Sequence, residues 1–258
     1  MLFNYGMSPT FQKLKKGDQR VKAIILSAGQ GKRLLPLTSK MPKCLLPIGD
    51  KTLLERQLDA LAICGVEQIT VVVGYGADKV ESLLKHYSGP QNVETFLNAE
   101  YATSDNLVSC WKVREKMAGD FLLINGDTLF EAAIPERLLQ MPKNEVTVTI
   151  SHKKEYDADD MKVQLDGTRL LQIGKTLAAE EVDAESIGMI LFREPGAAWF
   201  RAAMEQALKE LAARKRWYLS VINEMARSKP VWTCAVAGLS WAEVDYPADL
   251  EHARQVFK

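Results

Sequence analysis

An apolar run, Ala23-Ile24-Ile25-Leu26, gives way to Ser27-Ala28-Gly29-Gln30-Gly31-Lys32-Arg33, and Pro36-Leu37-Thr38 and Pro42-Lys43 follow. Glycines let backbone N–H groups approach an anion closely, and lysine and arginine add the opposing charge. These residue types suit a phosphate. Three phosphate-loop patterns can be compared with the stretch. A dinucleotide fingerprint needs a third glycine where Leu34 stands. A Walker loop needs Ser or Thr after Gly-Lys, whereas Arg33 follows Gly31-Lys32, and the glycines stand too close together. The third pattern, GxGxR followed by Pro-Leu-Thr and Pro-Lys, is met.

Two acidic places could complement that loop. Asp127 follows the apolar run Phe121-Leu122-Leu123-Ile124-Asn125, and Glu243 and Asp245 stand two apart in Trp241-Ala242-Glu243-Val244-Asp245. Phosphoryl chemistry on a triphosphate uses Mg²⁺ held between carboxylates and phosphate oxygens. The plainer alternatives are a turn or capping aspartate for Asp127 and a solvated strand edge for the other two.

The totals bound what else is possible. The chain has 258 residues, 47% hydrophobic, enough for one large α/β core. Lys+Arg and Asp+Glu are both 33, so bulk attraction to nucleic acid or anionic lipid is not indicated. Cys44, Cys64, Cys110 and Cys234 are scattered without a CxxC, and His86, His152 and His252 lie far apart, which disfavours a disulfide framework and a zinc site. No secretory leader and no membrane-length apolar stretch is seen, and the expectation is a cytoplasmic protein, monomer or homodimer. Residues 1–20 are polar and basic and are expected to form a flexible arm.

Elements must position these groups. Lys22–Leu26, Gln68–Val73, Val93–Leu97 and Asp120–Ile124 read as strands; Thr52–Ile63, Ala77–His86 and Asn106–Met117 read as helices. Thr52 with Glu55 has the pattern of a capping box. This alternation predicts βαβ units, with ligands beyond the carboxyl ends of the strands. Further on, Glu145–Ser151 alternates, Lys162–Ile173 suits a hairpin about Asp166-Gly167, and Ile187–Phe192, Val231–Val236 and Trp241–Val244 read as strands. Pro195–Ala213, Trp217–Arg227 and Tyr246–Val256 read as helices. The expected fold is α/β, a Rossmann-like three-layer sandwich with a mixed, mostly parallel central sheet and a smaller antiparallel hairpin subregion. The second half lids the first.

The stretch SAGQGKRLLPLTSKMPKCLLPIGDKTLLERQLDAL resembles the signature of the nucleotidyltransferases that join a nucleoside triphosphate to a phosphate monoester. The resemblance implies one nucleotidyltransferase domain over 21–258. It implies a nucleotide site from Ser27, Ala28, Gly29, Gln30, Gly31, Lys32, Arg33, Asn98, Asp105 and Gly126. Arg33 would clamp the outer phosphates, and Lys43 would neutralise charge at the α-phosphorus. Asp127 and Asp245 would hold Mg²⁺, with Glu243 as a weaker third candidate. The acceptor phosphate attacks directly, so no protein nucleophile is needed.

Within the family the resemblance is nearest to cytidylyltransferases acting on phosphocholine, aminoethylphosphonate or inositol phosphate. NAEYATSDNLVSCW, DDMKVQLDGTRLLQIGK and DAESIGMILF carry it. CTP and a small phosphate or phosphonate acceptor are the implied partners. The acceptor site would draw on Lys175, Lys162, Asp105, Glu185, Trp217, Tyr218 and Glu243, with Lys175 on the acceptor phosphate. Where relatives often have Asn-Asn, this chain has Asp105-Asn106. The extra carboxylate, with Trp217, Tyr218 and Trp111 as aromatic faces, suits a cationic head group. The competing expectations are a sugar-1-phosphate uridylyl- or thymidylyltransferase and an inactive nucleotide-binding regulator.

Overall fold

The computed structural model describes residues 21–257, and the expected basic arm lies outside the described residues. The short apolar run forms β1 (Lys22–Ser27), which ends at the glycine loop. A small ribbon, β2 (Pro47–Ile48) and β3 (Lys51–Thr52), leads into α1 (Leu53–Ile63). The capping box is formed: the Thr52 hydroxyl accepts from the Glu55 amide at 3.2 Å, and the Glu55 carboxylate accepts from the Thr52 amide at 2.8 Å. There follow β4 (Gln68–Val73), α2 (Ala77–His86), β5 (Asn92–Leu97), α3 (Asn106–Lys112) and β6 (Phe121–Asn125). The helix expected to run to Met117 stops at Lys112 and tightens into a 3₁₀ turn over Arg114–Met117.

β7 (Thr128–Phe130) and α4 (Ala133–Gln140) are elements the sequence reading did not anticipate. The chain continues through β8 (Val146–Ser151), β9 (Lys162–Asp166), β10 (Arg169–Gly174), β11 (Ala184–Phe192), α5 (Gly196–Ala207), α6 (Tyr218–Ala226), β12 (Trp232–Ala235), β13 (Trp241–Glu243) and α7 (Pro247–Val256).

Nine strands form one sheet in the order β5-β4-β1-β6-β11-β8-β12-β10-β9. β5, β4, β1 and β6 pair in parallel, as do β8 and β12. β11 enters antiparallel between β6 and β8, and β10 is antiparallel to both β12 and β9. The sheet is mixed as expected, but parallel pairing does not dominate it. Apolar runs report that a strand is buried and say nothing of the direction of its neighbour. The expected hairpin, β9–β10, belongs to this sheet, and β9 turns back to pair with β11. So β11, β8, β12, β10 and β9 form a closed circuit at one end.

Alternate residues of the central strands serve two cores. Ala23, Ile25, Val71, Leu122 and Ile124 pack with α1, α2 and α4 on one face. Ile24, Val72, Leu123 and Val148 pack with α3, α5 and α6 on the other. The sheet therefore lies between two helical layers. A third cluster, with Leu34, Ile48, Leu53, Val244 and Leu250, ties the glycine loop to α7.

The cap at Thr52 gives a direct stability test. Thr52→Ala should lower the unfolding free energy by roughly 1 kcal/mol, the usual worth of such a cap. An unchanged urea midpoint would show that the box contributes nothing.

Candidate active site

The loop after β1 and the turn after β6 lie side by side because Leu26 and Asn125 are register partners and the Gly126 amide donates to the Leu26 carbonyl at 3.0 Å. A Cβ on Gly126 would stand 2.3 Å from Ser27 Oγ, so only glycine permits this approach. Gly31 is in the left-handed region at φ 73, and a Cβ there would meet Lys43 Cβ at 2.9 Å. The Thr38 hydroxyl donates to the Gly31 carbonyl.

Asp127 is held from two sides. Gln57 on α1 donates from Nε2 to the carbonyls of Asn125 and Thr128 at 2.9 and 2.8 Å, which fixes the turn. On the other side β13 pairs with β7, and the Val244 amide donates to the Asp127 carbonyl. This brings Asp245 beside Asp127, and Asp249 in the first turn of α7 accepts from the Asp245 amide.

Lys43 closes the arrangement. Its ammonium donates to Asp127 Oδ2 and to Asp245 Oδ1, both at 2.7 Å. Burial alone would push its proton off, but the two carboxylates outweigh that and raise its pKa above the usual lysine value. The charges continue to alternate outward. Asp245 Oδ2 accepts from Arg33 at 3.0 Å, Arg33 lies 3.5 Å from Asp159, and Asp159 lies 3.4 Å from Lys175. Asp159 also accepts from the Tyr246 hydroxyl at 2.8 Å. That bond and the Lys175 ammonium hold its carboxyl below the usual range. Arg33 stacks 5.3 Å from the Tyr246 ring centroid, and the Lys175 ammonium sits 4.7 Å from that of Trp217.

A cleft of about 230 Å³ opens over this floor, lined by the loop from Leu26 to Gly31, by Lys43, Asn98, Tyr101, Ser104, Asp105 and Asn106, and by Gly126 and Asp127. Gly29 borders open space, Gln30 is half-buried, and Lys32 is exposed. Ala28 gives its carbonyl to the Tyr75 amide. Asn98 is buried, donating to the Ser109 hydroxyl and accepting from the Glu100 amide. Cys44 also lines the cleft, but burial pushes its thiol up to about 12, which leaves it unreactive. A roomier hollow of about 780 Å³ lies between the β2–β3 ribbon, α1 and α7; Arg56 and Arg254 there are already tied to carbonyls and carboxylates.

The other expected residues divide. Glu243 ends β13 and is not among the residues that line the cleft; desolvation, then the nearby Asp127 and Asp245 carboxylates, raise its pKa. Asp105 caps α3 by accepting from the Asn106 amide at 2.8 Å, and burial raises its pKa. Trp217 offers an exposed ring at the start of α6. Tyr218 does not: it is fully buried, packs edge-on against Phe200 and donates to Asn125 Oδ1. Trp111 is engaged by Arg114 at 4.3 Å. The Lys162 ammonium donates to the carbonyls of Asp157 and Lys175, so it braces the β8–β9 loop against the end of β10. Glu185 is buried against Lys153, which also pairs with Asp160.

Sequence reasoning missed Gln57, Asp159 and Tyr246. Asp159 stood inside a quoted stretch without a role. Nothing in the periodicity of a loop reveals what its side chains meet.

Glu185 generates a pH test. Burial pushes it up to about 7 from an ordinary 4.5, although Lys153 lies 2.9 Å away. Below 4.5 folded and unfolded chains both hold the proton, and no cost arises. As pH rises from about 4.5 to 7 the unfolded chain ionises first, so stability falls through that window and then levels off. Glu185→Gln removes this slope, so its stability relative to the unsubstituted chain should rise across the same window. A difference that stays constant with pH would show that Lys153 offsets the burial completely.

The nucleotidyl transferase family model matches residues 22–160. A CMP-5'-(3-aminopropyl)phosphonate synthase of Streptomyces rubellomurinus is 28% identical over 239 residues, covering 90% of this chain and 38% of that one. A 2-aminoethylphosphonate cytidylyltransferase of Lancefieldella rimae is 28% identical over 235 residues, covering 90% of this chain and 91% of that one. The solved structure of a CTP:phosphocholine cytidylyltransferase from Streptococcus pneumoniae superposes with a TM-score of 0.77 at 23% identity, over 93% of this chain and 100% of that one. The chain spans only 38% to 51% of the length of three of the curated relatives it matches. No helix among the described residues is long and apolar enough to cross a membrane. The family match begins in β1, takes in the glycine loop and Asp127 and ends in the loop that carries Asp159, and the chain belongs to the nucleotidyl transferase family.

Proposed function

We propose that this chain transfers CMP from CTP to a small phosphate or phosphonate monoester with a cationic head group and releases pyrophosphate. The carrying observation is the Lys43 ammonium set between Asp127 and Asp245 at the floor of a glycine-lined cleft. In this reading that cation and those two carboxylates surround the point where the α-phosphorus meets its attacking oxygen. The names of relatives that act on aminoalkylphosphonates and phosphocholine support the choice of acceptor.

The residues divide the work. Backbone N–H groups of the Gly29–Gly31 loop and the Lys32 and Arg33 side chains take the outer phosphates. Lys175 takes the acceptor phosphate and aligns one of its oxygens with the α-phosphorus. That oxygen forms the new P–O bond as the bond to the bridging oxygen breaks, and pyrophosphate leaves on Arg33. Lys43 spreads the negative charge that builds at the α-phosphorus. The acceptor arrives as an anion, so no proton has to be removed. The exposed Trp217 ring suits an ammonium head group.

The residues also fit Mg²⁺. Asp127 Oδ1 is buried without a hydrogen-bond partner, which suits a metal-ligating oxygen. Among the described residues no group of three or more His, Cys, Asp or Glu is arranged to hold a metal, so Asp127 and Asp245 would need phosphate oxygens to complete the shell, as Mg²⁺ prefers. Bound there, the ion would neutralise phosphate charge.

The test is pyrophosphate release with Mg²⁺ and each triphosphate against phosphocholine, aminoethylphosphonate, inositol-1-phosphate, glycerol-3-phosphate and sugar-1-phosphates. Turnover with CTP and a cationic acceptor is expected; turnover only with UTP or dTTP and a sugar phosphate would replace this reading with the uridylyl- or thymidylyltransferase one. Asp127→Asn should lower kcat by about 100-fold or more with the fold retained. Trp217→Ala should raise KM for the cationic acceptor by about tenfold, on the scale of a cation–π contact, and raise it much less for a phosphate monoester with an uncharged head group, which loses only the support of the ring for Lys175.

A further inference from the structure

Asp159 has no place in the chemistry described so far, yet its carboxylate meets Arg33, Lys175 and Tyr246 at once. Its carboxylate joins four parts of the chain. Arg33 comes from the nucleotide loop, Tyr246 from the approach to α7, Lys175 from the end of β10, and Asp159 itself from the loop between β8 and β9. The two cations it contacts are those assigned to opposite substrates, Arg33 to the outgoing pyrophosphate and Lys175 to the acceptor phosphate. An aspartate oxygen here does what a phosphate oxygen would do. The side chain is nearly half exposed, so burial does not compel the contact.

We propose that Asp159 is an internal stand-in for substrate phosphate, a latch that each substrate displaces and that couples the nucleotide side to the acceptor side. It rests on the functional reading only for which substrate takes which cation. Either phosphate must break the contact between Asp159 and its own cation. The first to bind therefore meets the latch, and the second meets cations already released. Linkage makes this coupling reciprocal. The loop can transmit it because it is braced as a unit: Lys162 holds the carbonyls of Asp157 and Lys175, and Asp160 accepts from Lys153 and from the Asp157 amide.

Titration calorimetry with inorganic pyrophosphate, with and without saturating phosphocholine, tests the latch. Asp159→Asn should bind pyrophosphate about two- to fivefold more tightly, the scale of exposed ion pairs. Tyr246→Phe changes no charge but frees the Asp159 carboxylate from its hydroxyl donor. It should shift affinity in the same direction by a smaller factor, and the double variant should be no tighter than Asp159→Asn. Phosphocholine should favour pyrophosphate binding more in the unsubstituted chain than in Asp159→Asn. Unchanged or weaker binding by Asp159→Asn overturns the proposal. So does tighter binding by Asp159→Asn with Tyr246→Phe unchanged, since that is a bare charge effect, and so does pyrophosphate binding to neither form. Failure of CMP transfer alongside the expected binding pattern would sink the functional reading and leave the latch standing.

Discussion

One ammonium holds the candidate site together. Lys43 is mostly withdrawn from solvent, and a charge in that position is costly unless it is paired and hydrogen-bonded. Both its partners are carboxylates that would otherwise repel each other, with a third, Glu243, close by. Each member of the set is unfavourable alone and acceptable only with the others. That mutual dependence is why the supporting structure is so specific. Gly31 must be glycine for Lys43 to pass, Gln57 must hold the turn before Asp127, and β13 must pair with β7 to deliver Asp245.

Charge alternation extends this logic to solvent. Asp127, Lys43, Asp245, Arg33, Asp159 and Lys175 follow one another with opposite signs at every step. The inner pairs are shielded and short; the outer ones are exposed and longer. Coulombic attraction in water-rich surroundings is weak, so the outer links are the ones a ligand can exchange at small cost. A polyphosphate entering from the mouth would find cations already positioned and anions it can replace. The inner pair of aspartates would stay where they are, and the group that must re-partner there is Lys43.

The sequence made the floor of this site legible and left its rim obscure, for a physical reason. Gly29, Gly31, Lys43 and Asp127 sit at strand ends or in short turns, where local geometry dictates residue type. β4, α2 and the Thr52 capping box could be read directly, because burial period and capping chemistry are local properties. Asp159 and Tyr246 meet only through tertiary structure, and Gln57 looks like any polar helix residue until its amide is seen between two carbonyls. Tyr218 was misread for want of one step. It begins the run Tyr218, Leu219, Val221, Ile222, Met225, the inward face of α6, and that spacing places its ring in the core. Strand direction failed differently: β11 is buried along its whole length, and such a strand reads the same in either pairing.

The division between floor and rim has a consequence for specificity. The floor rides on β1, β6, β7 and β13, joined by register and by glycines that tolerate no side chain. Substitutions there disturb the buried charges as well as any substrate. The rim is carried by the β8–β9 loop, the end of β10 and the start of α6, which hang from the closed circuit of β11, β8, β12, β10 and β9. That circuit is anchored by its own buried residues, including Val148, Val163, Leu170 and Ile190. Side chains at its mouth, Asp159, Lys175 and Trp217 among them, can change without unseating Lys43 from its two aspartates. A fold so divided can keep one reaction at its floor while the rim is altered for phosphates with different head groups.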